Sequence, residues 1–346
     1  MTDPKSSTPR TPHIEKIEPR FALPGSELRI VGENLTPAGF QRPIVYCNGY
    51  EASIVFGTDR AVTARVPYGA TSGPLTVLTE LPSNSVELTV ARTLAEELHP
   101  VANPAVDLDG NVYATFSGSR GQSVPVSIYK IDPEENTRPF VTDLMNATGL
   151  ALDSEGYLYA SSRYDGTVYR VTANGTITTY AKGLGVATGI AFDNDRNLYV
   201  GDRNGTIFKI GRDRQIYVFA TLEPSVAAYH LAFGPNGNLY VTGPTTSSND
   251  CIYKVDPHGT VSVFCRGLGR PQGLAFDLEG NLYVAASCKG ERGILRVTPT
   301  GEISLAVAGT GIVGLAFAPN KSLIVATTDA VYRLAWGIAG RVLVAD

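Results

Sequence analysis

The sequence predicts an all-β protein in two parts, a short β-sandwich followed by a six-bladed β-propeller. Two observations carry this. The last two-thirds of the chain repeat one phrase, a small-apolar run and an aspartate leading into Gly-Asn-Leu-Tyr-Val or a variant. Its anchor positions are Tyr113, Tyr159, Tyr199, Tyr240, Tyr283 and Ile324, in steps of 46, 40, 41, 43 and 41 residues. Strand-like units recurring every 40–50 residues are the mark of propeller blades. The first ninety residues instead hold short apolar runs broken by Gly and Pro, the pattern of a sandwich.

In the sandwich the expected strands centre on Ile14-Ile17, Leu28-Gly32, Ile44-Cys47, Ala52-Phe56, Ala61-Pro67, Gly73-Val77 and Val86-Val90. Residues 1–11, rich in Ser, Thr and Pro, read as a disordered leader. The motifs Ile17-Glu18-Pro19, Pro24-Gly25, Ile30-Val31-Gly32-Glu33-Asn34-Leu35, Val66-Pro67 and Ser83-Asn84-Ser85 resemble those of IPT/TIG domains. That resemblance covers 12–92 and implies an immunoglobulin-like sandwich acting as a structural or adhesive module. Residues 93–101 form a linker, readable as a helical turn or an extra strand.

Each repeat over 102–346 divides into strands a to d. Strand a is Gly189-Ile190-Ala191-Phe192 or its equivalent, and strand b is Leu198-Tyr199-Val200. Strand c alternates apolar with Lys or Arg, as in Ile207-Phe208-Lys209-Ile210, the pattern of a strand with one buried face. Strand d is typified by Tyr217-Val218-Phe219. The Gly and Asn of the a–b and c–d turns suit tight hairpins, and the repeated Asp153, Asp193 and Asp277 read as turn formers. The sixth d strand is either Arg341-Val344 or a segment before Asn103. This region resembles the NHL-repeat and SMP-30/gluconolactonase propellers and, more distantly, the streptogramin lyases.

Composition narrows the function. The chain is 43% hydrophobic and 18% charged, with net charge −4 and no Lys/Arg block, which excludes nucleic acid as an expected partner. The polar N-terminus has no signal-peptide core and no run is long enough for a membrane span, so a cytoplasmic location is the default expectation. Four cysteines are too few for a disulfide framework. Cys251 and Cys265 flank one hairpin, read either as a pair brought close by folding or as two small apolar residues.

Irregular polar loops on a rigid scaffold are where binding concentrates. In a propeller the b–c and d–a connections share one face, and here they are the irregular ones. The candidate ligand-binding residues on that face are Asn103, Arg120, Asn146, Thr148, Arg163, Tyr164, Asp165, Thr188, Asp202, Arg203, Tyr229, His230, Asn249, Asp250, Arg270 and Gln272. Arg163-Tyr164-Asp165 and Asp202-Arg203 fall at corresponding places in adjacent blades, positioned to grip an anionic or sugar-like ligand by charge-assisted bonds or to form inter-blade salt bridges. Replacing His230 and Arg163 together is expected to abolish ligand binding.

The resemblance to the lactonases implies one Ca²⁺ or Mg²⁺ at the axis, held by oxygen ligands just before strand a. Aligned by repeat, those positions are Ala102, Thr148, Thr188, Tyr229, Gln272 and Val313, none of them a carboxylate. The expectation is therefore a non-catalytic propeller without metal or cofactor, binding a small sugar- or lactone-like molecule or a protein. The alternatives are a Ca²⁺- or Mg²⁺-dependent lactone or ester hydrolase with an altered axial site, and a lyase-like enzyme using His230 as base with Asp202 or Asp250.

Overall fold

A computed structural model describes residues 10–37, 42–246 and 250–341. Every regular element among them is a strand. The chain divides into two compact units, Met1–Arg92 with Leu305–Thr310, and Thr93–Ser304 with Gly311–Asp346. The leader expected over 1–11 lies, up to residue 9, outside the described residues.

In the first unit the seven expected strands form at His13–Glu18, Glu27–Glu33, Ile44–Cys47, Tyr50–Thr58, Ala61–Arg65, Gly73–Leu78 and Val86–Val90. His13–Glu18 pairs with Glu27–Glu33, which pairs in turn with Ala61–Arg65. Tyr50–Thr58 pairs with Ala61–Arg65 on one side and with Ile44–Cys47 on the other. Alternate residues point inward, as a two-residue period requires. Leu28, Ile30, Val45, Val62, Leu75 and Val77 are fully buried in one apolar core.

The second unit has a β-propeller arrangement. Four antiparallel sheets each take four consecutive strands in chain order, for instance Ala187–Phe192, Leu198–Asp202, Thr206–Ile210 and Ile216–Thr221. A fifth joins Ile312–Phe317, Leu323–Thr327 and Ala330–Leu334 to Arg92–Glu96, so the segment before Asn103 supplies that sheet's outer strand. Of the competing segment, Val342–Val344 lies outside the described residues. Leu274–Phe276, Leu282–Cys288 and Glu291–Val297 pair in the same order. Each first strand lies against the first strand of the next set, and the last against the first, closing a circuit about one axis.

The repeat explains why this arrangement forms. The strand-b tyrosine wedges between sheets: the Tyr199 ring meets Phe219 of its own sheet and Phe233 of the next, each at 4.9 Å and edge-on. Tyr159 and Tyr240 do the same with Tyr180 and Phe192, and with Phe264 and Phe276. Such a pair contributes about 0.5–1.5 kcal/mol beyond burial. The tyrosine hydroxyl then meets the turn aspartate. Asp193 accepts from Asn197 N and Nδ2, both at 2.8 Å, and from the Tyr199 hydroxyl at 3.2 Å. Asp107 and Asp277 repeat this cassette with Asn111 and Tyr113, and with Asn281 and Tyr283. Burial and the neighbouring aspartate raise the Tyr199 hydroxyl pKa well above its ordinary value.

The repeated glycine that opens strand a reflects close approach near the axis. A Cβ on Gly149 would sit 2.3 Å from Thr188 O, and one on Gly189 2.2 Å from Tyr229 O. Gly314 would meet Ala102 O at 2.4 Å. Real Cβ atoms do not approach backbone so closely, so the circuit is tight at this level. Its two non-glycine members are Asn103 and His230.

The register of the hairpin Asp250–Val255 and Val261–Leu268 sets Cys251 opposite Arg266 and Cys265 opposite Ile252. Consecutive strand residues face opposite sides, so the two thiols lie on opposite faces, and both are free.

Candidate functional site

The b–c loops of three successive sheets converge around three arginines. Arg163, in the loop after Leu158–Ser162, donates from Nη2 to Gly118 O at 2.6 Å, tying its loop to the preceding one. Arg203, at the corresponding place one sheet on, donates from Nη2 to Val226 O at 2.9 Å. Arg120 is exposed in the loop that Arg163 grips. Among the described residues none of the three lies within ion-pair distance of a carboxylate, and the Arg163 Nε is buried without an acceptor. Burial, then the charges of Arg203 and Arg120, push the Arg163 pKa below its ordinary value. Three like charges share this region with no carboxylate in ion-pair contact, so a bound anion would relieve both repulsion and desolvation.

The nearby aspartates are committed to turns. Asp165 accepts from the Tyr169 hydroxyl at 2.6 Å and from Thr167 N at 3.1 Å. Asp202 accepts from Val186 N at 2.8 Å and from Asn204. The inter-blade salt bridges weighed for Arg163 and Arg203 are thus replaced by bonds to backbone carbonyls. Asn146, fully buried, accepts from Gly121 N at 2.7 Å and donates to Gly118 O and Ser119 O, which fixes the loop carrying Arg120. Tyr164 is half exposed beside Gly121, its ring free to stack on a ligand.

The remaining candidates are placed differently. Thr148 donates to Asn146 O, and Thr188 donates to Gly201 O and accepts from Tyr229 N, all of them buried. The Tyr229 hydroxyl donates to Glu223 O. Gln272 bonds through its backbone to Ala285, and Arg270 is exposed. Asp250 accepts from the Thr245 N and hydroxyl. Asn249 lies outside the described residues. His230 is 2% exposed and its Nε2 is buried with no partner. Burial lowers its pKa to about 4. Neither Asp202 nor Asp250 bonds to it, so no acid–base pair is assembled there.

The six axial positions offer a poor donor set for a hard cation. Thr148, Thr188 and Tyr229 use their hydroxyls in backbone bonds, Gln272 brings an amide, and Ala102 and Val313 bring no side-chain donor. Ca²⁺ and Mg²⁺ sites rely on carboxylates, and among the described residues no three His, Cys, Asp or Glu side chains converge to hold a metal. These residues do not fit the metal of the lactonases.

Sequence reasoning missed the cavity at the opposite end of the axis. It has a volume of about 570 Å³ and is lined by first strands and by the turns that follow them, among them Asp107, Asp153 and Asn194. Asn103 is the one sequence candidate on its wall. Its side chain donates to Leu274 O at 3.1 Å and accepts from Leu315 N at 3.0 Å, reaching the first strands of two other sheets.

No known protein-family model matches this chain, and no curated protein matches it. Solved structures do. A candidate gluconolactonase superposes with a TM-score of 0.61 at 20% identity, covering 72% of this chain and 93% of its own. An auxiliary nutrient binding protein from Bacteroides thetaiotaomicron gives 0.55 at 13% identity, covering 94% and 97%. A virginiamycin B lyase from Staphylococcus aureus gives 0.53 at 14%, covering 92% and 94%. At these identities the likeness is one of fold, a β-propeller, and one fold hosts many activities. No helix among the described residues is long and apolar enough to cross a membrane.

Proposed function

We propose that this protein is a non-catalytic binding propeller whose b–c face takes a small molecule carrying a carboxylate or phosphate, a sugar acid among them. The observation that carries this reading is the cluster of Arg120, Arg163 and Arg203, none of them ion-paired among the described residues. Guanidinium groups pair bidentately with carboxylate and phosphate, and the half-exposed Tyr164 offers a stacking face for a ring. The second unit is read as a six-bladed NHL-like propeller over 102–346, and the first as an immunoglobulin-like spacer over 12–92. The nutrient-binding neighbour, alike over most of both chains, is in keeping with a binding role. The metal-dependent hydrolase reading gains nothing from the axial donors, and the lyase-like reading nothing from a buried, unpaired His230.

The test is thermal unfolding of the purified protein against neutral sugars, their acids and their phosphates. A ligand that binds only the folded state raises the melting temperature. Stabilisation by acids and phosphates but not by neutral sugars is expected, and its loss in Arg163→Gln. Equal response to neutral and charged members, or none to any, would overturn the proposal.

A further inference from the structure

We propose that the axial cavity is a second binding site, distinct from the arginine face, for an uncharged and largely apolar small molecule with one or two hydrogen-bonding groups. The argument begins with register. Ala105, Ala151, Ala191, Ala232, Ala275 and Ala316 each pair with the anchor position of the adjoining strand, from Tyr113 through to Ile324. All six line the cavity. Every first strand therefore places an alanine at one level around the axis, and the channel stays open there. One step further along the strands, Phe192, Phe233, Phe276 and Phe317 continue the wall. At the other end the channel meets Asn103 and the tight glycine level, where backbones leave no room for a Cβ. The result is a pocket lined by all six first strands. Its volume of about 570 Å³ falls within the roughly 300–1,000 Å³ typical of small-molecule sites.

The charged residues of the lining, Asp107, Asp109, Lys130, Asp153, Glu155 and Arg341, lie outside the first strands, and all but the turn residue Asp109 are engaged, Glu155 with Arg196 at 3.8 Å. Asp107 holds Asn111 and Tyr113, and Asp153 accepts from the backbone N–H groups of Glu155 and Tyr157. Lys130 sits over the Tyr113 ring at 5.4 Å. Arg341 donates from Nη2 to Asn194 Oδ1 at 2.8 Å and from its backbone N to Phe276 O at 2.9 Å, so it spans two sheets at the mouth. The first-strand residues of the wall carry no charge, which selects against ions.

Hydrogen-bonding capacity comes from the backbone. A first strand pairs on one side only, leaving its other edge toward the axis. Asn103 caps Leu274 O and Leu315 N, and Arg341 caps Phe276 O. Alternation along a strand turns the matching groups of Leu150, Ile190 and Leu231 to the same side, where a ligand amine, amide or hydroxyl can meet them.

The experiment is fluorescence titration of the full chain with N-phenyl-1-naphthylamine, an uncharged apolar probe that brightens out of water. Saturable binding at one probe per chain is expected. Ala191→Leu, which fills the channel, should weaken it at least tenfold, and Ala275→Leu on another sheet should do the same. Arg163→Gln, on the opposite face, should leave it unchanged. Circular dichroism establishes that each variant is folded. If one alanine variant fails to fold, the other decides. No saturable binding, or equal binding in a folded alanine variant, would overturn the proposal. Loss of binding in Arg163→Gln would place the probe on the other face and overturn it equally.

Discussion

The buried His230 gives a prediction whose sign and size follow from its surroundings. Its Nε2 lacks a partner and the residue is 2% exposed, so the folded chain favours the neutral imidazole. Burial lowers its pKa from the ordinary 6.5 to about 4. Below pH 6.5 the unfolded chain takes up a proton that the folded chain refuses, and stability falls as pH drops toward 4. Above pH 7 both states are neutral and the effect vanishes. The full gap is worth about 3 kcal/mol, and about 2.5 kcal/mol of it is reached by pH 4.5. Carboxylates titrate over the same range, so the quantity to read is the difference from His230→Gln, which keeps a polar side chain but does not titrate. Trp336, the single tryptophan, packs against Tyr283 in the second unit and reports that unit's unfolding. Urea unfolding followed by its fluorescence at pH 7.5 and pH 4.5 should show the wild type losing about 2.5 kcal/mol more than the variant. Equal losses would refute the burial argument.

Two further predictions concern the scaffold. Gly189→Ala places a methyl 2.2 Å from Tyr229 O, a backbone atom that cannot yield without moving a first strand. It should cost about 1–3 kcal/mol in the same urea assay, whereas Gly156→Ala, in an open turn, should act only through its positive φ of 82°. Asp193→Ala removes the acceptor for Asn197 and the Tyr199 hydroxyl. A loss of about 1–3 kcal/mol is expected, and a double-mutant cycle with Tyr199→Phe should show the two changes to be non-additive.

Much of the fold was legible because its signals are local and repeated. The anchor tyrosines, turn aspartates and alternating c strands each specify a hairpin from a few adjacent residues. Ring closure was not legible, since the pairing of Arg92–Glu96 with a sheet near the C-terminus depends on contacts far apart in sequence. The arginine face was legible in part. Arg163 and Arg203 stood out by matching positions, but their bonds to carbonyls rather than to Asp165 and Asp202 depend on loop conformation. The burial of His230 carried a signal that went unused: it occupies the register of the repeated glycines. The axial cavity escaped notice because an alanine reads as unremarkable in any one strand, and only the closed circuit brings six to one level.

The measurement that bears most directly on the proposed function is isothermal titration with citrate, a small tricarboxylate, of the wild type and of Arg163→Gln/Arg203→Gln. The account predicts saturable binding by the wild type, weakened at least tenfold in the double variant and weakened by added salt, since exposed charges are screened. Equal affinity in both proteins, or no binding by the wild type, would contradict it.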